Sequence, residues 1–259
     1  MPRSDSQNSR SKPASAVLFL QLQSCQRFDD MLMRETTMKP ESTLLLIDTV
    51  GDAPGTVLIR GENVVATAEF PLRSASAALT SELRRLLASA RIGLRDLTGI
   101  GVVSGPGSFT GVRTGLAMAK GLCEVLGLPL ASISRLEVLA DAAELHEGFA
   151  VLDAGRGSLY VREQRRTEPA REYLAPLEEF ERAAAGAPIV VAEKKTATLL
   201  DRLAPALREL GPIDLLRPVR RCLAEGGTNV ALADANYVLP ESEIYTRAQR
   251  ASSASTSPR

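Results

Sequence analysis

The chain has 259 residues, of which 44% are hydrophobic and 24% charged, and 31 basic residues balance 31 acidic ones. This composition is typical of a globular protein with one large domain or two lobes, and it does not fit a disordered or fibrous chain. Zero net charge gives no overall attraction to a polyanion, so the composition argues against tight autonomous binding of nucleic acid, and any contact with RNA would be local or shared.

The cysteines and the N-terminal segment indicate a cytoplasmic protein. Cys25, Cys123 and Cys222 are odd in number, far apart and never spaced as CxxC, which argues against a disulfide framework and a zinc ribbon. The apolar run at residues 16–20 is too short for a signal-peptide core or a membrane span. We therefore expect no export and no membrane contact.

Both ends of the chain differ in composition from its middle. Residues 1–42 show no sustained hydrophobic period, and we expect either a disordered extension or a segment that is not translated, with Met33 or Met38 as the initiator. Residues 248–259, rich in Ser and Ala, are expected to be a disordered tail. Between them we predict an N-terminal lobe at 43–147 and a smaller C-terminal lobe at 148–247.

The predicted elements of the first lobe follow the order of a ribonuclease-H-like domain. Three strands are followed by helix, strand, helix, strand and helix, at residues 43–49, 56–60, 63–70, 77–90, 100–104, 108–126, 129–133 and 135–146. The helix at 77–90 carries an apolar stripe that includes Leu79, Leu83 and Leu87. This order predicts an α/β fold.

The second lobe reads as a shortened version of the first. Strands are predicted at 149–153, 158–164 and 189–192, and helices at 176–185 and 196–210. The opening strands of the two lobes end alike, with IDT around Asp48 and LDAG around Asp153. This weak echo is of the kind that duplicated lobes leave.

The most informative stretch is SGPGSFTGVRTGLAMAKGL, which begins at Ser104. Gly105 and Gly107 allow a tight turn between strand and helix, and the Ser108 hydroxyl is suited to cap the first helical turn. The helix N-terminus would then be preorganised, and its amides would favour an anion. The spacing differs from that of a Walker or a Rossmann loop.

A small-residue ridge follows on the same helix, at Gly107, Gly111, Gly115 and Ala119. Glycine inside a helix costs about 1 kcal/mol relative to alanine, so close packing should compensate. The ridge meets either the protein's own sheet or a helix of a partner, with close approach of a ligand as a further alternative. For the partner alternative, the predicted interface also includes Leu83, Leu87, Ser108, Val112, Leu116 and Leu122.

This stretch resembles the GPGSFTGxRxGxxxAxGL signature of the TsaB (YeaZ) family, and the similarity extends over residues 43–247, through NYV at Asn236 and IYTR at Tyr245. The resemblance implies a two-lobed actin-like (ASKHA) fold and a role in the synthesis of N6-threonylcarbamoyladenosine (t6A) on tRNA. It further implies a heterodimer with the catalytic TsaD protein, which an ATPase called TsaE joins. First-lobe helices of the two proteins pack together in such pairs, and we expect the same helices to form a homodimer when the chain is alone.

The resemblance also bears on catalysis. The catalytic sister family carries a His-x-x-x-His metal motif just after the strand that follows the glycine-turn helix, where this chain has Arg135 and Leu139. A guanidinium and an aliphatic side chain cannot replace two imidazoles on a metal. His146, the only histidine, is better explained by a solvated helix end. We expect no metal, no cofactor and no catalytic residue, and we reject metallopeptidase and serine hydrolase activity.

An actin-like ATPase or kinase is the alternative function. Asp48 and Asp153 at facing strand ends would suit magnesium and a phosphate chain. However, IDTVGDAPG lacks the Gly/Thr/Ser-rich hairpin of a working phosphate loop, and the turn after Asp153 reads AGRGSLY. The two carboxylates therefore cap their own loops, retain a vestigial nucleotide site, or take part in catalysis.

Overall fold

The computed structural model describes residues 42–70 and 75–238, without the side chains of residues 75–77. The predicted N-terminal extension, apart from residue 42, and the predicted C-terminal tail lie outside the described residues, as does Tyr245. Within the described ranges, no helix combines the length and the apolar character needed to cross a bilayer.

A five-stranded mixed sheet forms the centre of the first lobe. Its strands are β1 (Thr43–Asp48), β2 (Gly55–Arg60), β3 (Asn63–Glu69), β4 (Gly99–Gly105) and β5 (Leu130–Ser134), in the order β3-β2-β1-β4-β5. The β1–β2 and β2–β3 pairs are antiparallel, whereas β1–β4 and β4–β5 are parallel. All six residues of β1 are buried, which explains its continuous apolar run, because helices cover both faces of the sheet.

Three helices follow the predicted order of this lobe: α1 (Ala75–Ala90), α2 (Phe109–Leu126) and α3 (Arg135–Ala142). The observed bounds of α2 agree with the predicted ones within one residue. The helix begins after Ser108, whose hydroxyl accepts a hydrogen bond from the Gly111 amide at 3.3 Å, and it ends at Gly127, which takes φ 65°. Helix α3 ends four residues earlier than predicted, where the chain turns through Glu144 at φ 50°. The predicted ribonuclease-H-like order is confirmed.

The second lobe repeats this sheet. Its strands are β6 (Gly148–Gly155), β7 (Ser158–Gln164), β8 (Arg171–Pro176), β9 (Ile189–Val191) and β10 (Ala206–Leu207), in the order β8-β7-β6-β9-β10. Like β1, the central strand β6 is antiparallel to the next strand in sequence and parallel to its other neighbour. Asp48 and Asp153 therefore lie near the ends of equivalent strands, and the α/β, two-lobed actin-like fold is confirmed.

Two predictions for the second lobe were wrong. Strand β8 was missed, and the helix expected at 196–210 is a short helix, α5 (Lys194–Leu199), a 3-10 turn (Asp201–Leu203) and β10. Pro205 explains the break, because proline disfavours a helical residue before it, and Ala204 takes φ 47°. The other helix, α4 (Leu177–Ala183), lies within its predicted range.

The chain then returns to the first lobe, which corrects the predicted boundary of the C-terminal lobe at 148–247. A 3-10 turn (Pro212–Leu215) leads into α6 (Leu216–Ala224), whose Val219 is fully buried against Leu44 and Leu46 of β1. A Cβ added to Gly101 of β4 would lie 2.3 Å from Val219. Helix α6 therefore covers one face of the first sheet, while α1 and α2 cover the other.

Candidate functional site

The small-residue ridge of α2 packs against the end of β1. A Cβ added to Gly111 would lie 2.3 Å from the Thr49 carbonyl oxygen, and one added to Gly115 would lie 2.4 Å from Thr49 Oγ1. The Thr49 hydroxyl donates a hydrogen bond of 2.7 Å to the Gly111 carbonyl. Of the alternatives that the sequence left open, close approach to the protein's own chain therefore explains the two glycines.

The structure places most of the predicted interface in the core of the first lobe. Seven of its residues are buried by their own chain: Leu83, Leu87, Gly111, Val112, Gly115, Leu116 and Ala119. Gly107 and Ser108 are exposed, and Leu122 is half-buried. While the lobe keeps its core, these seven residues offer a partner little or no surface, and their role as contact residues stays a prediction that their burial argues against. That α2 is the contact helix stays a prediction.

The opposite side of α2 is exposed and forms a second stripe at four-residue spacing. We call this stripe the outer face; it consists of Phe109, Arg113, Ala117, Gly121 and Val125, all of which are exposed. Phe109 is 51% exposed and Val125 is 84% exposed, so this face presents two large apolar side chains to solvent. Sequence reasoning missed this face, although the same period-four pattern that revealed the ridge would have shown it.

A hollow of about 500 Å³ lies along the N-terminal half of the outer face, and its lining residues are Phe109, Thr110, Arg113, Thr114, Ala117 and Met118. The Phe109 ring stacks on Tyr237 with the ring centroids 5.6 Å apart. The Arg113 guanidinium lies 3.9 Å from the Phe109 centroid, and its Nε donates a 2.9 Å hydrogen bond to the Tyr237 hydroxyl. These contacts hold the side chains in place beside the hollow.

The segment after α6 runs back along the first lobe and brings Tyr237 to this position. Thr228 forms an isolated bridge with Leu130, and the Asn236 amide donates to the Ser104 carbonyl at 2.7 Å. The Lys120 ammonium of α2 donates to the Ala233 carbonyl at 2.8 Å. The NYV part of the resemblance therefore joins the glycine-turn helix in space.

The Asp48 carboxylate caps its own turn. It is 4% exposed, and its Oδ1 accepts hydrogen bonds from the amides of Val50 (2.8 Å) and Gly51 (3.2 Å). Burial raises the pKa of Asp48, and the bond from Val50 and the nearby Arg135 charge oppose this rise. A magnesium ion would have to compete with two backbone amides for this oxygen.

The equivalent Asp153 is also engaged locally. Its Oδ1 accepts from the Gly155 amide at 2.7 Å, and its Oδ2 pairs with the Lys195 ammonium at 2.6 Å. The hydrogen bond from Lys195 is the main reason why the pKa of Asp153 lies below its usual value. Loop capping accounts for the Oδ1 contacts of both carboxylates, while the ion pair with Lys195 holds Asp153 Oδ2.

Arg135 and Leu139 stand at the two positions where the sister family has metal-binding histidines, and both side chains make other contacts. Arg135 is 6% exposed and its Nη1 pairs with Glu193 Oε1 at 2.9 Å, while Leu139 is fully buried in an apolar cluster with Leu152. Among the described residues, no three His, Cys, Asp or Glu side chains are grouped so that they could hold a metal ion. His146 is exposed, in the turn between α3 and β6.

Comparisons with known proteins agree with the family resemblance found in the sequence. A family model described as TsaD, tRNA N6-adenosine threonylcarbamoyltransferase, matches residues 69–204. The tRNA threonylcarbamoyladenosine biosynthesis protein TsaB of Bacillus subtilis (strain 168) is 35% identical over 122 residues, which are 46% of this chain and 53% of that protein. TsaB of Haemophilus influenzae is 36% identical over 135 residues, 49% and 57% of the two chains. The chain thus spans about half the length of the curated relatives it matches.

Solved structures extend the likeness to both lobes. The crystal structure of a Pseudomonas aeruginosa protein, described as uncharacterized and similar to the peptidase YeaZ, superimposes with a TM-score of 0.63 at 26% sequence identity. The superposition covers 76% of this chain and all of the other.

Proposed function

Because the chain belongs to the TsaB (YeaZ) family, we propose that it is a non-catalytic partner of a TsaD protein in the synthesis of t6A on tRNA. It would position or stabilise the catalytic subunit through its first-lobe helices. The TsaE ATPase would join the pair, and contact with tRNA would be indirect or weak, in line with the zero net charge.

The observation that carries this proposal is the exposed outer face of α2. Partner surfaces are enriched in aromatic side chains and arginine, and the residues that dominate binding energy are usually rigid anchors of these types beside a pocket. Phe109 and Arg113 are of these types, Tyr237 holds them, and the hollow beside them offers room for a side chain of the partner. The buried ridge contributes by fixing α2 to β1, so that the outer face is rigid.

The contacts of α3 support a role without catalysis. Arg135 is committed to an ion pair and Leu139 to an apolar cluster, so neither side chain offers a ligand to a metal ion. The carboxylates required by the alternative, an ATPase or kinase, cap their own loops. We therefore assign the chemistry of the modification to the TsaD partner.

Binding of the TsaD protein of the same organism tests the proposal. Ala117→Glu places a carboxylate in the hollow on the outer face. Val64→Glu is the matched control, because Val64 is 51% exposed on β3 at the edge of the first sheet. Loss of a central contact typically costs about 2 kcal/mol, so calorimetry should show Ala117→Glu to bind about 30-fold more weakly. Binding by Val64→Glu should match that of the unmodified chain.

The contradicting result would be equal affinity of Ala117→Glu and the unmodified chain, with both variants folded. In that case the contact does not involve the outer face of α2. Steady ATP turnover by the purified chain, abolished by Asp48→Asn, would instead favour the ATPase or kinase alternative.

A further inference from the structure

Arg135, the first residue of α3, connects the two lobes through an ion pair. Its Nη1 lies 2.9 Å from Glu193 Oε1 at the start of α5 in the second lobe. The two side chains are 7% and 17% exposed, so water screens the pair little. The other oxygen of Glu193 accepts a 2.9 Å hydrogen bond from Thr196, which fixes the carboxylate from its own side.

The preceding residue, Ser134, makes a second connection between the lobes. Its hydroxyl donates to Glu172 Oε2 on β8 at 2.9 Å. Arg162 on β7 holds the same carboxylate at 2.8 Å, and the Asn236 side chain, next to Tyr237, donates to it at 2.8 Å. Two adjacent residues at the β5–α3 junction therefore bind two carboxylates of the second lobe.

These connections lie beside the turn that follows β1. A Cβ added to Gly51 would be 3.2 Å from Asp48 Oδ2 and 3.6 Å from Arg135 Nη2, so the guanidinium stands next to the capped carboxylate. Gly51 and Asp48 are both buried. The ion pair with Glu193 thus crosses from the second lobe to the vicinity of the β1 end.

The contact further along α3 is apolar. Leu136 and Leu139 are fully buried in one cluster with Ala150 and Leu152 of β6. Apolar packing tolerates rotation better than directed hydrogen bonds do, because it is not directional. Helix α3 therefore joins the lobes by a polar contact at its beginning and by an apolar contact along its length.

We propose that Ser134 and Arg135, with Glu172 and Glu193, form an interlobe latch that holds the lobes closed over the β1 end, and that its release lets them open about α3. A buried ion pair contributes little net stability, because desolvation offsets most of the attraction, so such a latch is well suited to release. The Arg135 Nε, buried without a hydrogen-bond partner among the described residues, adds to the cost of the closed state.

Hydrogen–deuterium exchange of the full chain, read by mass spectrometry at residues 49–55, tests the latch. Arg135→Leu and Glu193→Ala remove its two ends, from different lobes. Lys194→Ala is the matched control, since Lys194 neighbours Glu193 but is 81% exposed and pairs with Glu209 of the second lobe. Each latch variant should speed exchange in this segment about tenfold or more, and the double variant should add little, because either change opens the same contact.

Removal of the Arg135 charge could also speed exchange near Asp48 directly, without any opening of the lobes. Glu172→Gln distinguishes these two causes. This change weakens the second connection without altering Arg135 or Asp48, and it should speed exchange of residues 49–55 in the same direction. The proposal is overturned if Glu172→Gln and Glu193→Ala, both folded by circular dichroism, exchange in this segment like Lys194→Ala. Should Arg135→Leu not fold, these two variants decide the result.

Discussion

The contact between α2 and β1 predicts opposite effects for the same substitution at two glycines of one helix. Replacing either Gly111 or Gly121 by alanine should gain about 1 kcal/mol of helix propensity. Gly121 has no atom within 4 Å of an added Cβ, so Gly121→Ala should keep this gain. At Gly111 the added Cβ would lie 2.3 Å from the Thr49 carbonyl oxygen, well inside van der Waals contact, and that atom belongs to the backbone.

The magnitude at Gly111 follows from what must move. Overpacking of a close contact costs about 1–3 kcal/mol. Displacing Thr49 also weakens its 2.7 Å hydrogen bond to the Gly111 carbonyl, which contributes about 1 kcal/mol. After the gain in helix propensity, Gly111→Ala should be less stable than the unmodified chain by about 2 kcal/mol, and less stable than Gly121→Ala by about 3 kcal/mol.

Urea unfolding followed by circular dichroism measures both variants under the same conditions. The expected order of unfolding free energy is Gly121→Ala, unmodified chain, Gly111→Ala. Equal stability of the two alanine variants would refute the close packing of α2 on β1. It would also revive the alternative that the ridge is free to receive a partner helix.

Three further predictions concern charge, capping and self-association. The pKa of Asp48 in the folded chain is raised above its ordinary value of 3.8. The contribution of Asp48 to the free energy of unfolding is therefore fully favourable below pH 3.8 and is lost as pH rises through the pKa of the folded state. Asp48→Asn, which cannot ionise, should therefore gain stability relative to the unmodified chain as pH rises above 3.8 in urea titrations, and parallel pH curves would contradict the buried carboxylate. Ser108→Ala removes the cap of α2 and should lower the unfolding free energy by about 1 kcal/mol; no change in the urea midpoint would show that the cap is not formed. Without TsaD, light scattering should detect a homodimer that Ala117→Glu converts to a monomer, whereas a monomeric unmodified chain at high concentration would exclude self-association through this face.

The first lobe was predictable because its signals are local. Strand β1 is an uninterrupted apolar run, and Ser108 and Gly127 mark the two ends of α2 within the sequence itself. The second lobe carries weaker signals. Helix α6 reads LRPVRRCLA, and its proline and three arginines concealed the apolar side chains that pack on the first sheet, among them Val219 and Leu223.

The candidate site was predictable only in part. A period of four residues showed that the glycines share one side of α2, but it did not show that Thr49 occupies that side. Whether the glycines face the protein's own core or a partner depends on how α2 is rotated about its axis on the sheet. The sequence pattern of one helix does not determine this rotation. Likewise, the pair of Arg135 and Glu193 joins residues 58 apart in sequence, and only the packing of the two lobes brings them together.

The chain is proposed to support t6A synthesis through the outer face of α2. The most direct measurement is the t6A content of tRNA, determined by mass spectrometry of nucleosides. It is made in cells from which the gene of this protein has been deleted, and which then express either the unmodified chain or one variant. The unmodified chain and Val64→Glu should restore t6A, whereas Ala117→Glu, expressed to the same level, should not. Normal t6A in cells without the protein, or full restoration by Ala117→Glu, would contradict this proposal.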